Sequence, residues 1–139
     1  MPTDMEKLEG YALALSEAGL AISDMPMVQA LPEDPSAAAM LLDAAPEATA
    51  ILSMSVMQAL SLLAEARRRG ISVPEQLSVV GYNDIPDARR SSPPLTTVDA
   101  LNLEKGRLAA EVVFAHGPPR REVLTPRLII RGSTAPPRG

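Results

Sequence analysis

No cysteine occurs in these 139 residues, which excludes disulfides, thiolate chemistry and cysteine-based metal sites. The same absence says nothing about the redox compartment. Tryptophan is also missing and aromatics make up only 2% of the chain, so a core must be assembled from Leu, Val, Ile, Ala and Met. The basic residues form no long stripe, and the net charge of -4 with a pI near 5.0 makes the chain by itself a poor partner for phosphates. No apolar run approaches the ~18 residues of a membrane span, and "MPTDMEKLEG" lacks the basic-then-apolar layout of a signal peptide, so the cytoplasm is the expected compartment. The single histidine, His116, follows the last core-like residue of its segment and reads as a solvated end-of-helix residue before it reads as a general base. There is no HExxH, Walker A loop or GxSxG elbow, and the carboxylates are scattered without an acid/base pair. Neither an enzyme nor a cofactor nor a bound metal is expected.

What is present is an aliphatic, globular composition, 46% hydrophobic and 22% charged, of a length that suits one domain or part of a larger one. "TDMEKLEGYALALSEAGL" sets Thr3 and Glu6 in capping-box spacing, puts Leu8, Tyr11, Ala12 and Leu15 on one face, and ends at Gly19, which predicts a helix. "MVQA" (27–30) is a short strand candidate. "DPSAAAMLLDAAP" offers Asp34 as N-cap and Pro35 at the first helical position, with Pro46 closing a second helix. "ATAILS" (48–53) is too short for a helix and reads as a strand buried on both faces. "SVMQALSLLAEARRRG" places Val56, Leu60, Leu63 and Ala64 on one stripe, with Arg67, Arg68 and Arg69 in the last turn before Gly70. "LSVVGY" (77–82) is a third buried strand, and strand, helix, strand at this spacing predicts an α/β fold on a parallel sheet.

Past residue 90 the pattern changes. "SSPPLTTV" is an extended crossing segment, because prolines disfavour helix on their N-terminal side. "LNLEKGRLAAEVVFAHG" is an amphipathic helix with Leu101, Leu108, Val112 and Val113 or Phe114 toward a core, ended by Gly117. "REVLTPRLIIRGST" is a strand or hairpin, and the tail "APPRG" is expected to be mobile.

In open parallel sheets ligands bind outside the carboxyl ends of the strands. Those ends carry Gln29, then Ser53 and Ser55, then Tyr82, Asn83 and Asp84, a polar rim suited to a small ligand. A plainer reading stands beside it: Ser55 caps the following helix, and Asn83 with Asp84 makes an Asx-type turn before Pro86.

In order and spacing, "LEGYALALSEAGL", the run from "ATAILSMSVMQAL" through "VPEQLSVVGYNDIP" to "PPLTTVDA", then "EKGRLAAEVV" and "PRLIIRGST", resemble the latter half of the regulatory domain of the lactose/galactose-repressor (LacI/GalR) family. The resemblance implies a periplasmic-binding-protein-like fold in three layers, two α/β lobes closing on a small-molecule effector, preceded by a helix-turn-helix head. Only a portion of that is matched, so the resemblance implies a fragment: the second-lobe core at 1–99, a crossover helix of the first lobe at 100–117, and a return strand with a mobile tail at 118–139. It carries effector contacts to Lys7, Ser55, Val56, Tyr82 and Asp84, with Lys7 where the family usually has arginine and Val56 where it usually has an aspartate that accepts from sugar hydroxyls. It carries dimer contacts to Met57, Ser61 and Leu62. A helix at 101–116 without its usual sheet, and a sheet without its first strand, imply a homodimer or intertwined oligomer.

The expected function is therefore the effector-binding and dimerisation portion of a transcriptional regulator, taking a sugar or similar small molecule and meeting DNA only through a head outside this chain. Alternatives are a stand-alone binding module like the periplasmic receptors, or a part that serves assembly without binding an effector.

Overall fold

The computed structural model describes residues 2–31, 33–115, 118 and 120–137. His116 and Gly117, where the sequence places the end of the last helix, lie outside them, as do Arg138 and Gly139 of the tail. Helix α1 spans Pro2–Glu17 and already contains Thr3, so that residue sits inside the helix and not at its cap. Its predicted stripe of Leu8, Tyr11, Ala12 and Leu15 is its half-buried side. At the C-terminus Gly19 takes φ +76, and its N–H donates to the Ser16 carbonyl at 3.0 Å while that of Leu20 donates to Leu15 at 2.9 Å. This paired closure needs a left-handed residue, which glycine supplies without a Cβ clash.

Helix α2 is Ala37–Ala44 with Ser36 as its N-cap, two residues later than the sequence suggests. The Asp34 carboxylate is engaged otherwise: it accepts the Ser36 N–H at 2.9 Å and hydroxyl at 2.7 Å, an Asx-type turn that competes with capping. Strand β1 follows at Ala50–Leu52, then α3 at Val56–Arg68 and β2 at Ser78–Tyr82. A short α4, Pro86–Arg90, was not anticipated, although Pro86 at the first helical position, Asp87 in the first turn and Arg89 and Arg90 in the last are helix signals. Strand β3 is Thr96–Asp99, α5 is Asn102–Phe114 and β4 is Arg127–Ile129.

The sheet has the order β1-β2-β3-β4, with β1, β2 and β3 parallel and β4 antiparallel to β3. Segment 27–30 is not a strand: Gln29 is exposed and no sheet partner holds it, its visible tether being the Gln58 side-chain amide donating to the Ala30 carbonyl at 3.2 Å. Strand β1 is covered on one face only, Ile51 being buried while Ala50 and Leu52 are exposed. Neither α1 nor α5 has a buried side chain among the described residues, so of the expected layers the one made by α2 and α3 is packed down and the other face is half covered.

The core joins Ile51 and Val79 of the sheet to Ala59, Leu62, Leu63 and Ala66 of α3 and to Ala38 and Leu42 of α2. The buried stripe of α3 thus runs through Val56, Ala59, Leu62, Leu63 and Ala66; Leu60 is partly buried against it as expected, whereas Ala64 is exposed. Among the described residues no methionine belongs to the core, and Met5, Met27, Met40 and Met57 are exposed. Gly70, at φ +72, closes α3 as Gly19 closes α1. The cluster of arginines there is paired as well as placed at the dipole: Arg68 and Arg69 both grip Glu65, and Arg69 reaches Asp43 of α2 at 2.6 Å.

One glycine is required by packing. A Cβ on Gly81 would lie 2.9 Å from Leu95 Cδ2 and 3.1 Å from Ala59 Cβ, and Leu95 and Ala59 are fully buried. Gly81→Ala is therefore expected to destabilise by about 1–3 kcal/mol through overpacking despite the better strand propensity of alanine, measured by urea unfolding.

Candidate functional site

The carboxyl ends of β1 and β2 are brought together with α1. Strand β1 is extended by the Ser53 N–H donating to the Val80 carbonyl at 2.9 Å, which delivers Met54 and Ser55 to the rim. From α1, Lys7 donates to the Met54 carbonyl at 3.2 Å, and its ammonium stands 4.2 Å from the centre of the Tyr82 ring, within cation–π range. Burial, followed by the neighbouring Tyr82, raises the Tyr11 hydroxyl above its usual pKa of 10.0. Lys7, Tyr11, Met54 and Tyr82 thus form one patch with a fixed positive charge, two ring surfaces and hydroxyl donors, which can orient a small planar or oxygen-bearing molecule.

The other expected effector residues have different work. Ser55 is the N-cap of α3 and accepts the Gln58 N–H at 3.2 Å. Val56 is buried beneath the rim, 5% exposed, and packs in the core. Asp84 is committed to arginines: Arg131 meets it through both oxygens at 2.7 and 2.9 Å, and Arg89 donates at 2.8 and 3.2 Å. With its side chain 3% exposed, Asp84 braces the corner. Asn83 takes φ +72, a left-handed conformation asparagine tolerates. Its N–H donates to Val98 at 3.0 Å and its side-chain oxygen accepts from Asn102 at 3.3 Å, while its carbonyl accepts the Ile85 N–H at 2.9 Å, so the local turn is made by backbone and not by the Asn83 side chain. Among the expected dimer contacts, Met57 and Ser61 are exposed on α3, whereas Leu62 is 1% exposed and belongs to the core.

Arg131 and Arg89 are absent from the sequence expectations. Arg131 lies 47 positions from Asp84, a separation to which no periodicity points. The "RGST" run does structural work nearby: the Ser133 hydroxyl donates to Val79 at 2.6 Å and accepts the Thr96 N–H at 2.8 Å, stitching the chain end to β2 and β3.

Arg131, and next Arg89, hold the Asp84 carboxyl below its ordinary 3.8 against the opposing effect of burial. A depressed folded-state pKa means a stabilising contribution that is complete above 3.8 and fades as pH falls through the lower folded value. Glu65, held at about 2 by Arg68 and Arg69 against an ordinary 4.5, acts in the same direction. Below pH 4 the unfolding midpoint of the wild type should therefore fall with acid, and Asp84→Asn should flatten that dependence, which acid-titrated circular dichroism reads directly.

Two concavities, of about 370 and 250 Å³, open at the far end of the molecule, the first lined by Leu63, Arg67, Ile71 and Pro93 and the second by Thr49, Val80 and Pro136. They lie away from the strand ends where residues of mixed chemistry converge.

Comparison with known proteins gives a consistent picture. The family described as periplasmic binding protein-like domain matches residues 3–134. The transcriptional repressor CytR of Escherichia coli is 32% identical over 96% of this chain, which spans 42% of that protein. Among solved structures, a transcriptional regulator CelR–cellobiose complex aligns with a TM-score of 0.75 at 31% identity, covering 93% of this chain and 42% of that one. A sugar-binding transcriptional regulator of the LacI family from Escherichia coli, complexed with phosphate, aligns with a TM-score of 0.76 at 27% identity over 98% of this chain and 52% of its own. These relatives are regulators and not enzymes, and the chain spans less than half the length of the curated relative.

Proposed function

Because the chain belongs to the periplasmic binding protein-like domain family, we propose that it is the effector-binding and dimerisation portion of a LacI-type transcriptional regulator. Its ligand surface is the rim at the carboxyl ends of β1 and β2, and the observation that carries this reading is the convergence of Lys7 on both the Met54 carbonyl and the Tyr82 ring. A sugar or similar small molecule would sit against Tyr82 and Tyr11 and be oriented by the Lys7 ammonium. Val56 and Asp84 contribute by supporting the rim from below and behind, since neither offers an acceptor to the ligand. Operator DNA is read by a head outside these residues. Met57 and Ser61 face a second copy, and the compartment is the cytoplasm, in keeping with the absence among the described residues of a helix long and apolar enough to cross a membrane.

A thermal-shift screen against sugars, nucleosides and small acids tests this. Ligand at a hundred times its dissociation constant stabilises the native state by about 2.7 kcal/mol. At least one class should raise the midpoint, and Lys7→Met or Tyr82→Ala should abolish the rise. No rise with any class would contradict the reading. It would favour assembly without an effector, which the commitment of Asp84 to arginines and the burial of Val56 support.

A further inference from the structure

The larger of the two concavities, about 370 Å³ in volume, falls within the size range of small-ligand sites. Its apolar surface is made by Leu63 of α3, which is 7% exposed, with Ile71 and Pro93 half-buried beside it. Charge of both signs lines the same space, from Arg67 and Glu75, together with the exposed Ser72 and Ser92.

Both charges are unspent. Of the three arginines that end α3, Arg68 and Arg69 grip Glu65, and Arg69 also reaches Asp43. Among the described residues the Arg67 guanidinium and the Glu75 carboxylate have no ion-pair or hydrogen-bond partner, and they do not bridge to each other. A solvated charge at a helix end is ordinary. An unpaired cation and anion sharing a cavity with an apolar wall are not, because a ligand there can satisfy both while covering apolar surface.

The walls are fixed from within this chain, so the cavity's shape does not depend on residues outside it. Beyond Gly70, the Ile71 N–H donates to the Ala66 carbonyl at 2.9 Å, and the Ser72 carbonyl accepts the N–H groups of Gln76 and Leu77 at 2.7 and 3.1 Å. The Gln76 side-chain oxygen accepts the Ser72 N–H at 2.8 Å. On the crossing segment the Ser91 hydroxyl donates to the Pro93 carbonyl at 2.9 Å, and the Leu95 N–H donates to Ala88 at 2.7 Å. A cavity stapled in this way loses little on ordering when a ligand enters.

We propose that this cavity is a second ligand site, for a dipeptide with aliphatic side chains, its carboxylate on Arg67, its ammonium on Glu75 and its side chains against Leu63, Ile71 and Pro93. A simple anion would meet Glu75 unfavourably and a simple cation Arg67, while a neutral sugar would leave both charges unmatched. A free amino acid carries its two charges on adjacent groups, whereas Arg67 and Glu75 stand too far apart to bridge; a dipeptide carries them at its two ends. The site does not rest on the proposed function and is filled independently of the rim.

Amide chemical-shift titration of the labelled chain tests it, with alanyl-leucine as the probe. The comparison ligand is the same dipeptide acetylated at its amine and amidated at its carboxyl, which keeps the aliphatic body and lacks both charges. The expected result is saturable movement at 70–73, 75 and 92, with 7–11 and 53–56 still. The capped form should bind roughly tenfold more weakly or worse. Arg67→Gln and Glu75→Gln, both at exposed positions where folding is little affected, should each weaken the free dipeptide about three- to tenfold, the lower figure reflecting solvent screening. Neither should change binding of the capped form. No saturable movement at these amides, movement at the rim instead, equal affinity for the capped form, or an affinity unchanged in either variant overturns the proposal.

Discussion

Asp84→Ala is expected to lower the melting midpoint by on the order of 10 °C. Removing one member of a buried, hydrogen-bonded ion pair leaves the other charge desolvated and unmatched, at a cost of about 3–5 kcal/mol, and a domain of this size loses a few degrees per kcal/mol. The Arg131 side chain is 16% exposed and Asp84 only 3%, so water cannot fully compensate the guanidinium when its carboxylate goes. Arg89, by contrast, is 65% exposed. Arg89→Ala should cost under about 1 kcal/mol, in the range of surface pairs. A scanning calorimetry comparison of the two variants separates a buried brace from a surface pair. Equal and small losses in both would mean that Asp84 is not the brace its geometry describes.

Leu62→Ala should be of similar size for a different reason. Leu62 is 1% exposed on the face of α3 that meets the sheet, and truncating a buried leucine costs about 2–5 kcal/mol, the spread reflecting how far the site can collapse. Its neighbours Ala59 and Ala66 are small and already fully buried, so little side-chain volume is available to refill the space, which points to the upper part of that range. Met57→Ala on the same helix, half exposed, should change the stability of an isolated chain by less than about 0.5 kcal/mol. The pair thereby divides the dimer residues implied by family resemblance into one that holds the core and one free to face a partner. Denaturant midpoints with unchanged slopes would establish the division.

Much of the fold was legible because it depends on local signals. The glycines that end α1 and α3 are readable as left-handed closures, and the apolar runs around Ile51 and Val79 are strands as their length and composition suggest. What misled was context. Apolar runs cannot say whether a second layer of helix is packed down, so β1 reads as buried on both faces although Leu52 is exposed. The "MVQA" segment has strand composition but pairs with no strand of the sheet. In α3 the apolar residues are dense enough to fit stripes one position apart, so Ala64 was assigned inward although it is exposed, while the buried Ala59 and Leu62 were left off the stripe. At the site, the resemblance named Lys7 and Tyr82 separately and the structure brings them together, whereas it named Asp84 for the effector and nothing in the sequence around it announces Arg131.

The central claim is that a small molecule binds at the strand-end corner of Lys7, Met54 and Tyr82, and amide chemical-shift mapping of the labelled chain during titration with the ligand that raises its melting midpoint tests it most directly. The account predicts that the amides which move cluster at 7–11, 53–56 and 82–84, and that the 63–75 segment stays still. Movement confined to residues 63–75 and 92–93, around the concavity at the opposite end, would contradict it and transfer the site there.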